Sequence, residues 1–328
     1  MIEWSTGQPS GVATGTTWVR GKPGRKLMVI LRAPGCIYAR RTGGCTNCGF
    51  DFLTTGGERV PTERLARQLG RALEIYAGYQ NGIEQLDLFC SGSFLADDEI
   101  QPAARQQLLE MAVSQLPALR LVVVESRPEF VTDESLQPLC AALGDVGLEL
   151  AIGLESIDDT VRLERIRKGF SREQFEDAAA VVARAGASLA VYLLLKPMGL
   201  TDDEAIADVV ASGRYLVALG QRLDLPIRIC LEPTFVPEGT PLHEALRQGR
   251  YTPPSLWTVV RATLGLAELL PVQVGLSSEG LPTEAMPTAC HRCSGMLRAA
   301  LARFNATQDK NALVRLSCTC QAHEEQSP

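Results

Sequence analysis

Cys36, Cys45 and Cys48 stand in one glycine-bounded stretch, Gly35–Phe50, with eight residues between the first two and two between the last two. Thiolates are the ligands that iron–sulfur clusters prefer, and a C-x-x-C step lets two of them reach one centre. No fourth cysteine or histidine follows nearby, so a four-iron cubane held here keeps one iron free for a small molecule. A thioredoxin-like redox pair wants its cysteines opening a helix, whereas Gly43, Gly44 and Gly49 around this pair predict a loop. A structural zinc site wants a fourth ligand close by. An open [4Fe–4S] cluster is the first reading, ahead of zinc, a redox pair or inert thiols.

The elements that must position this loop follow from periodicity. Lys26–Leu31 is a short apolar run of strand type, which puts the cysteines at the carboxyl end of a first strand, where α/β folds keep their chemistry. Further strands are predicted over 83–90, 119–125, 148–153, 188–195 and 226–231, with 272–276 as an edge addition. Between them lie helical signals. Leu65, Leu69, Leu73 and Tyr76 recur at helical spacing, and helices are predicted over 103–115 and 134–143. Ser171-x-x-Gln174 and Thr201-x-x-Glu204 are capping boxes, and Pro253-Pro254 precedes a helix through Ala267. Such alternation means parallel βαβ units. The predicted fold is α/β, a partial (βα)6 TIM-like barrel over 26–270. Residues 1–25, rich in Gly, Ser and Thr and anchored only by Trp4 and Trp18, are predicted to be a flexible arm. A small cysteine-rich extension covers 271–328.

Polar residues recur at the strand ends. Ser91-Gly92-Ser93 follows the second strand, Glu125 and Arg127 the third, Glu155 and Ser156 the fourth, Lys196 the fifth and Glu232 the sixth. Any one of these suits a solvated loop. Their recurrence after every strand predicts a single polar mouth.

The remaining cysteines divide in two. Cys90, Cys140 and Cys230 lie in apolar runs and read as inert core thiols. Cys290, Cys293, Cys318 and Cys320 form two close pairs around an amphipathic stretch, Met296–Phe304. They read as a four-thiolate site that staples a last helix to the tail, with zinc first and an auxiliary iron–sulfur cluster second; residues 321–328 read as a frayed tail. The 328 residues carry ten cysteines, and the N-terminus shows no signal-peptide pattern, which together predict a reducing, cytoplasmic setting and metal ligation instead of disulfides. No apolar run approaches bilayer length. A net charge of −6 weighs against a nucleic-acid partner, and three histidines are too few for a histidine-based centre.

The cysteine spacing resembles the radical S-adenosylmethionine (SAM) superfamily in a branch with a widened first gap. The Gly43–Phe50 ending is similar to that of the Elongator catalytic subunit and the archaeosine-synthase radical SAM subunit. Gly153-Leu-Glu155-Ser156-Ile-Asp158-Asp159, with Lys168-Gly169 after it, resembles that branch's fourth-strand motif, and Arg303–Asp309 resembles the archaeosine-type C-terminus. The resemblance implies that Ser91, Gly92 and Ser93 form the turn for the SAM amine, although this turn departs from the commoner Gly-Gly-Glu wording. It also implies that Glu125 and Lys196 face SAM, that Glu155 accepts from the ribose hydroxyls, that Arg127 pairs with the methionyl carboxylate, and that Phe50 contacts the adenine.

The leading expectation is a radical SAM enzyme that cleaves SAM reductively and modifies a natural-product or amino-acid-like small molecule, drawing electrons from a donor such as flavodoxin or ferredoxin. The acidic charge favours this over a tRNA-modifying subunit of the archaeosine type. Radical transfer of the SAM 3-amino-3-carboxypropyl group, for example to an arsenic-containing acceptor, is a further alternative. A non-catalytic iron–sulfur or zinc scaffold has no need of a polar mouth.

Overall fold

The computed structural model describes residues 7–320; Trp4 and the 321–328 tail lie outside the described residues. The strands are β1 (Gly11–Val19), β2 (Lys22–Ile30), β3 (Ile83–Phe89), β4 (Leu121–Glu125), β5 (Gly147–Glu155), β6 (Ser188–Leu195), β7 (Ile227–Pro233), β8 (Val236–Pro237), β9 (Val272–Val274) and β10 (Thr283–Ala285). Eight of them form one sheet in the order β1-β2-β3-β4-β5-β6-β7-β9. Only β1 and β2 pair antiparallel; every later neighbour in this sheet is parallel. The helices are α1 (Ile37–Thr42), α2 (Thr62–Ile75), α3 (Pro102–Gln115), α4 (Asp133–Leu143), α5 (Arg172–Arg184), α6 (Asp202–Leu223), α7 (Pro241–Arg247), α8 (Leu256–Ala267), α9 (Ser294–Thr307) and α10 (Asn311–Val314). Parallel strands β2 to β7 with their intervening helices make the partial (βα)6 barrel, and β9 is the edge addition.

The barrel is nearly closed. Thr17 on β1 donates to the Gln273 side chain on β9 at 2.9 Å, joining the sheet's two edges, and α9 packs over the same seam against β1, β2 and β9. Period-two alternation then sorts the side chains. Leu27, Val29, Leu86, Leu88, Val122 and Val124 face outward into the helix-covered core. Ile30, Phe89, Val123, Ala151, Ala190 and Cys230 face the barrel interior. Beneath them Lys26 pairs with Asp87 at 2.7 Å and Arg228 with Glu149 at 2.6 Å, so the polar groups of the barrel floor satisfy one another.

Two local predictions are corrected. The stretch predicted to be a flexible arm is, from Gly11, a strand of the main sheet. Its valines and threonines suit a pleated surface, and Arg20 and Gly21, both at positive φ, make the two-residue turn into β2. The cysteine loop contains a short helix: α1 starts beside Cys36 and is closed by Gly43 at φ 87°. The Cys45–Cys48 pair itself stays in irregular chain.

The segment after β5 is held from within by Arg162. This side chain is fully buried, donates to the carbonyls of Ser156 at 3.0 Å and Phe170 at 3.3 Å, and pairs with Asp159. Removing it strands those acceptors. Arg162→Leu should lower the unfolding free energy by about 2 kcal/mol or more, read from denaturant titration; a loss under about 1 kcal/mol would contradict the role given to Arg162.

Candidate active site

A cavity of about 230 Å³ opens at the carboxyl ends of the barrel strands, and its walls include Cys36, Cys45, Cys48, Phe50, Ser91, Gly92, Glu125, Arg127, Glu155 and Glu232. Two other residues predicted for this site do not line it. Ser93 is fully buried, and its hydroxyl accepts the Arg127 backbone N–H at 3.1 Å. Lys196 turns its ammonium to Asp202, at 2.9 Å, where α6 begins.

Contacts remote in sequence hold the cysteine loop in place. Thr46, between two of the cysteines, donates its N–H to the Ile166 carbonyl at 2.9 Å and its hydroxyl to the Arg165 carbonyl at 2.7 Å. The Tyr38 hydroxyl donates to the Arg167 carbonyl at 2.7 Å. Glu99 accepts from the backbone N–H of Ile37 at 2.8 Å and from that of Ser93, tying the loop to the turn after β3. Burial pushes this carboxyl up to about 7. Gly92 makes the arrangement feasible, since a Cβ there would meet Glu99 Oε2 at 2.0 Å.

Burial raises the Cys36 and Cys45 thiols, while Lys168 and Arg127 pull against it. Groups this reluctant to ionise become thiolates when a metal takes the proton's place. Three thiols on one wall with two cations beside them fit a [4Fe–4S] cluster with one iron open.

The two cations are themselves fixed. Lys168 pairs with Glu155 at 2.6 Å. Burial alone pulls Lys168 down, but the Glu155 carboxylate and Cys45 outweigh it and hold the ammonium above its ordinary value. A Cβ on Gly153 would lie 2.5 Å from that ammonium. Arg127 lies over the Tyr38 ring at 3.9 Å, donates to Glu129 at 2.6 Å and to the Lys168 carbonyl at 3.0 Å. Ser91 and Glu155 both stand at positive φ, 57° and 67°. Non-glycine residues seldom accept that conformation, and it clusters at functional sites.

The cavity also carries three further carboxyls. Glu125 and Glu232 project from the ends of β4 and β7, and Glu279 comes from the loop after β9. Burial, then repulsion from Glu279, pushes Glu125 and Glu232 up to about 8, and burial raises Glu279. Tyr192 of β6 also lines the cavity. Site reasoning from sequence did not select Glu99, Tyr192 or Glu279. Glu99 sits in an acidic run and Glu279 in a short loop, neither with a spacing signal; Tyr192 was legible only as an inward strand position.

The four C-terminal cysteines come together where α9 begins. Sulfur separations are 3.5 Å for Cys290–Cys293, 3.7 Å for Cys290–Cys318 and 3.7 Å for Cys293–Cys320. A tetrahedral ion with bonds of about 2.3 Å sets its sulfurs about 3.8 Å apart, so the set fits one metal ion.

The chain has named relatives along nearly its whole length and solved structures of similar fold. No family model matches the chain. Archaeosine synthase subunit beta of Methanosarcina acetivorans is 31% identical over 318 residues, covering 96% of this chain and 88% of its own. That of Thermococcus kodakarensis is 29% identical, with 92% and 91% covered. Among solved structures, N-terminally truncated Elp3 of the archaeon Methanocaldococcus infernus has a TM-score of 0.54 at 15% identity, over 73% of this chain and 59% of that one. Methylornithine synthase (PylB) has a TM-score of 0.50 at 15% identity, over 75% and 63%. The chain spans less than two thirds of either structural neighbour, and what it shares with them is the fold. The chain belongs to the family of archaeosine synthase subunit beta.

Replacing Cys36, Cys45 and Cys48 together by Ala should remove about four irons per chain while leaving the metal on Cys290, Cys293, Cys318 and Cys320. Elemental analysis of anaerobically purified protein checks this; unchanged iron content would refute the assignment.

Proposed function

We propose that Cys36, Cys45 and Cys48 hold a [4Fe–4S] cluster and that the cavity binds SAM against it. When bound, the cluster supplies one electron to SAM and a carbon–sulfur bond breaks. The chain's own part is binding and orientation. Arg127, backed by Tyr38 and Glu129, offers its remaining donors to the methionyl carboxylate. Glu155, held by Lys168, accepts from the ribose hydroxyls. Phe50 packs on the adenine, and Glu125 faces the cofactor from β4. In the turn after β3 the Ser93 N–H is taken by Glu99, whereas the buried Ser91 hydroxyl has no protein partner and is free to meet the SAM amine. The C-terminal cysteines take zinc, a closed tetrahedral site with a structural role.

For the substrate, the observation that carries most weight is likeness along nearly the whole chain to archaeosine synthase subunit beta. It supports a catalytic subunit that modifies a tRNA nucleoside, working with a partner subunit and a one-electron donor such as flavodoxin or ferredoxin. A small-molecule substrate is the second reading, favoured by the net charge of −6. A gel shift with unfractionated tRNA at physiological salt separates them: retention supports the tRNA reading, and no retention by protein that still consumes SAM supports the small-molecule one.

Two outcomes follow for SAM. Arg127→Ala should weaken SAM binding by about 1.5–3 kcal/mol in calorimetry, with cluster absorbance kept; parent-like affinity would remove Arg127 from the SAM site. Anaerobic incubation with SAM and dithionite should give 5′-deoxyadenosine as the main nucleoside. Dominant methylthioadenosine would instead support transfer of the 3-amino-3-carboxypropyl group.

A further inference from the structure

The indole N–H of Trp257 is a buried donor that neither the barrel core nor the mouth uses. Trp257 is 3% exposed, and its Nε1 completes no hydrogen bond. A donor left open in a native interior is costly and calls for an acceptor.

Its place in the fold says which acceptor. Trp257 lies in the first turn of α8, which Ser255 caps. The Ser255–Thr288 bridge, and the bond from the Leu256 N–H to the Thr288 carbonyl at 2.9 Å, bring this turn against the segment leading into Cys290. There the sulfurs of Cys290, Cys293, Cys318 and Cys320 lie within 4.8 Å of one another. Cys290 receives the backbone N–H groups of Arg292 and Cys293. At Cys320 the side-chain donor from outside the cysteine set is the Trp257 indole. A thiol accepts weakly and a metal-bound thiolate strongly, so the indole finds its full acceptor when the cysteines hold an ion. Four thiolates around a divalent ion also carry net negative charge, which N–H donors offset.

We infer that Trp257 is a positioning residue of the four-cysteine site: its indole N–H donates to the Cys320 thiolate of the ion-bound site and fixes the Cys318–Cys320 arm against α8. Cys290 and Cys293 stand where α9 begins, so the ion and the indole together tie α8, the arm and α9 to one point. Helix α9 in turn covers the seam between β1 and β9. The inference rests on the reading of these four cysteines as a metal site.

The test uses the full chain with Cys36→Ala, Cys45→Ala and Cys48→Ala, so that added metal reports the C-terminal cysteines alone. Zinc titration followed by nitrogen-15 NMR reads the three tryptophan indole N–H signals. One of them should move downfield as zinc binds, and this needs no change at Trp257. Trp257→Phe, which keeps an aromatic ring and removes the donor, should weaken zinc binding about ten-fold or more in competition with a chromophoric chelator. With cobalt in place of zinc, the same variant should shift the thiolate-to-metal absorption to longer wavelength. Leu256→Ala, which removes only packing from the same buried turn, should leave that absorption where it is. Three indole signals that ignore zinc overturn the inference, as does an unmoved cobalt band in Trp257→Phe or an equal shift in Leu256→Ala. If the chain binds no zinc, the metal reading itself fails; if it binds zinc and no indole signal moves, only the role of Trp257 fails.

Discussion

The buried ion pair between Lys168 and Glu155 is the contact on which the site depends. Its 2.6 Å bond lies beside the cysteines, where an unpaired ammonium or carboxylate would be expensive. Glu155 reaches it from a left-handed backbone at the end of β5, and Gly153 leaves the space. Lys168 reaches it from a segment that Arg162 holds by its carbonyls. That segment in turn receives the hydrogen bonds of Thr46 and Tyr38. The strand end, the buried arginine and the cysteine loop therefore form one connected structure, and a change in any of them is felt at the thiols.

Both signs of charge meet in the cavity. Arg127 and Lys168 stand beside the cysteines and oppose the burial that raises the Cys36 and Cys45 thiols. Glu125 and Glu232 line the same cavity, and repulsion from Glu279 adds to the burial that raises both.

Much of this was legible in the sequence because it is local. Three cysteines at fixed spacing, apolar runs of strand length and polar residues after each run specify the barrel mouth without reference to distant contacts. Strand β1 escaped because its Gly and Thr content resembles that of a loop, and only the pairing with β2 and the Thr17–Gln273 link show that it completes the barrel. Glu99 escaped because its role is to accept an N–H from a residue 62 positions away. Lys196 shows the opposite failure: it stands at a strand end like its neighbours, yet Asp202, six residues on, takes its charge. Strand-end position brings a side chain to the rim, and the nearest opposite charge decides whether it enters.

The central claim is that SAM binds at an open iron of a cluster held by Cys36, Cys45 and Cys48. Electron paramagnetic resonance of the reduced, reconstituted protein with and without SAM tests it most directly. The account predicts a cluster signal whose shape changes when SAM is added, and that is absent from the variant with all three cysteines replaced by Ala. A cluster signal that SAM leaves unaltered, or one that persists without these cysteines, would contradict it.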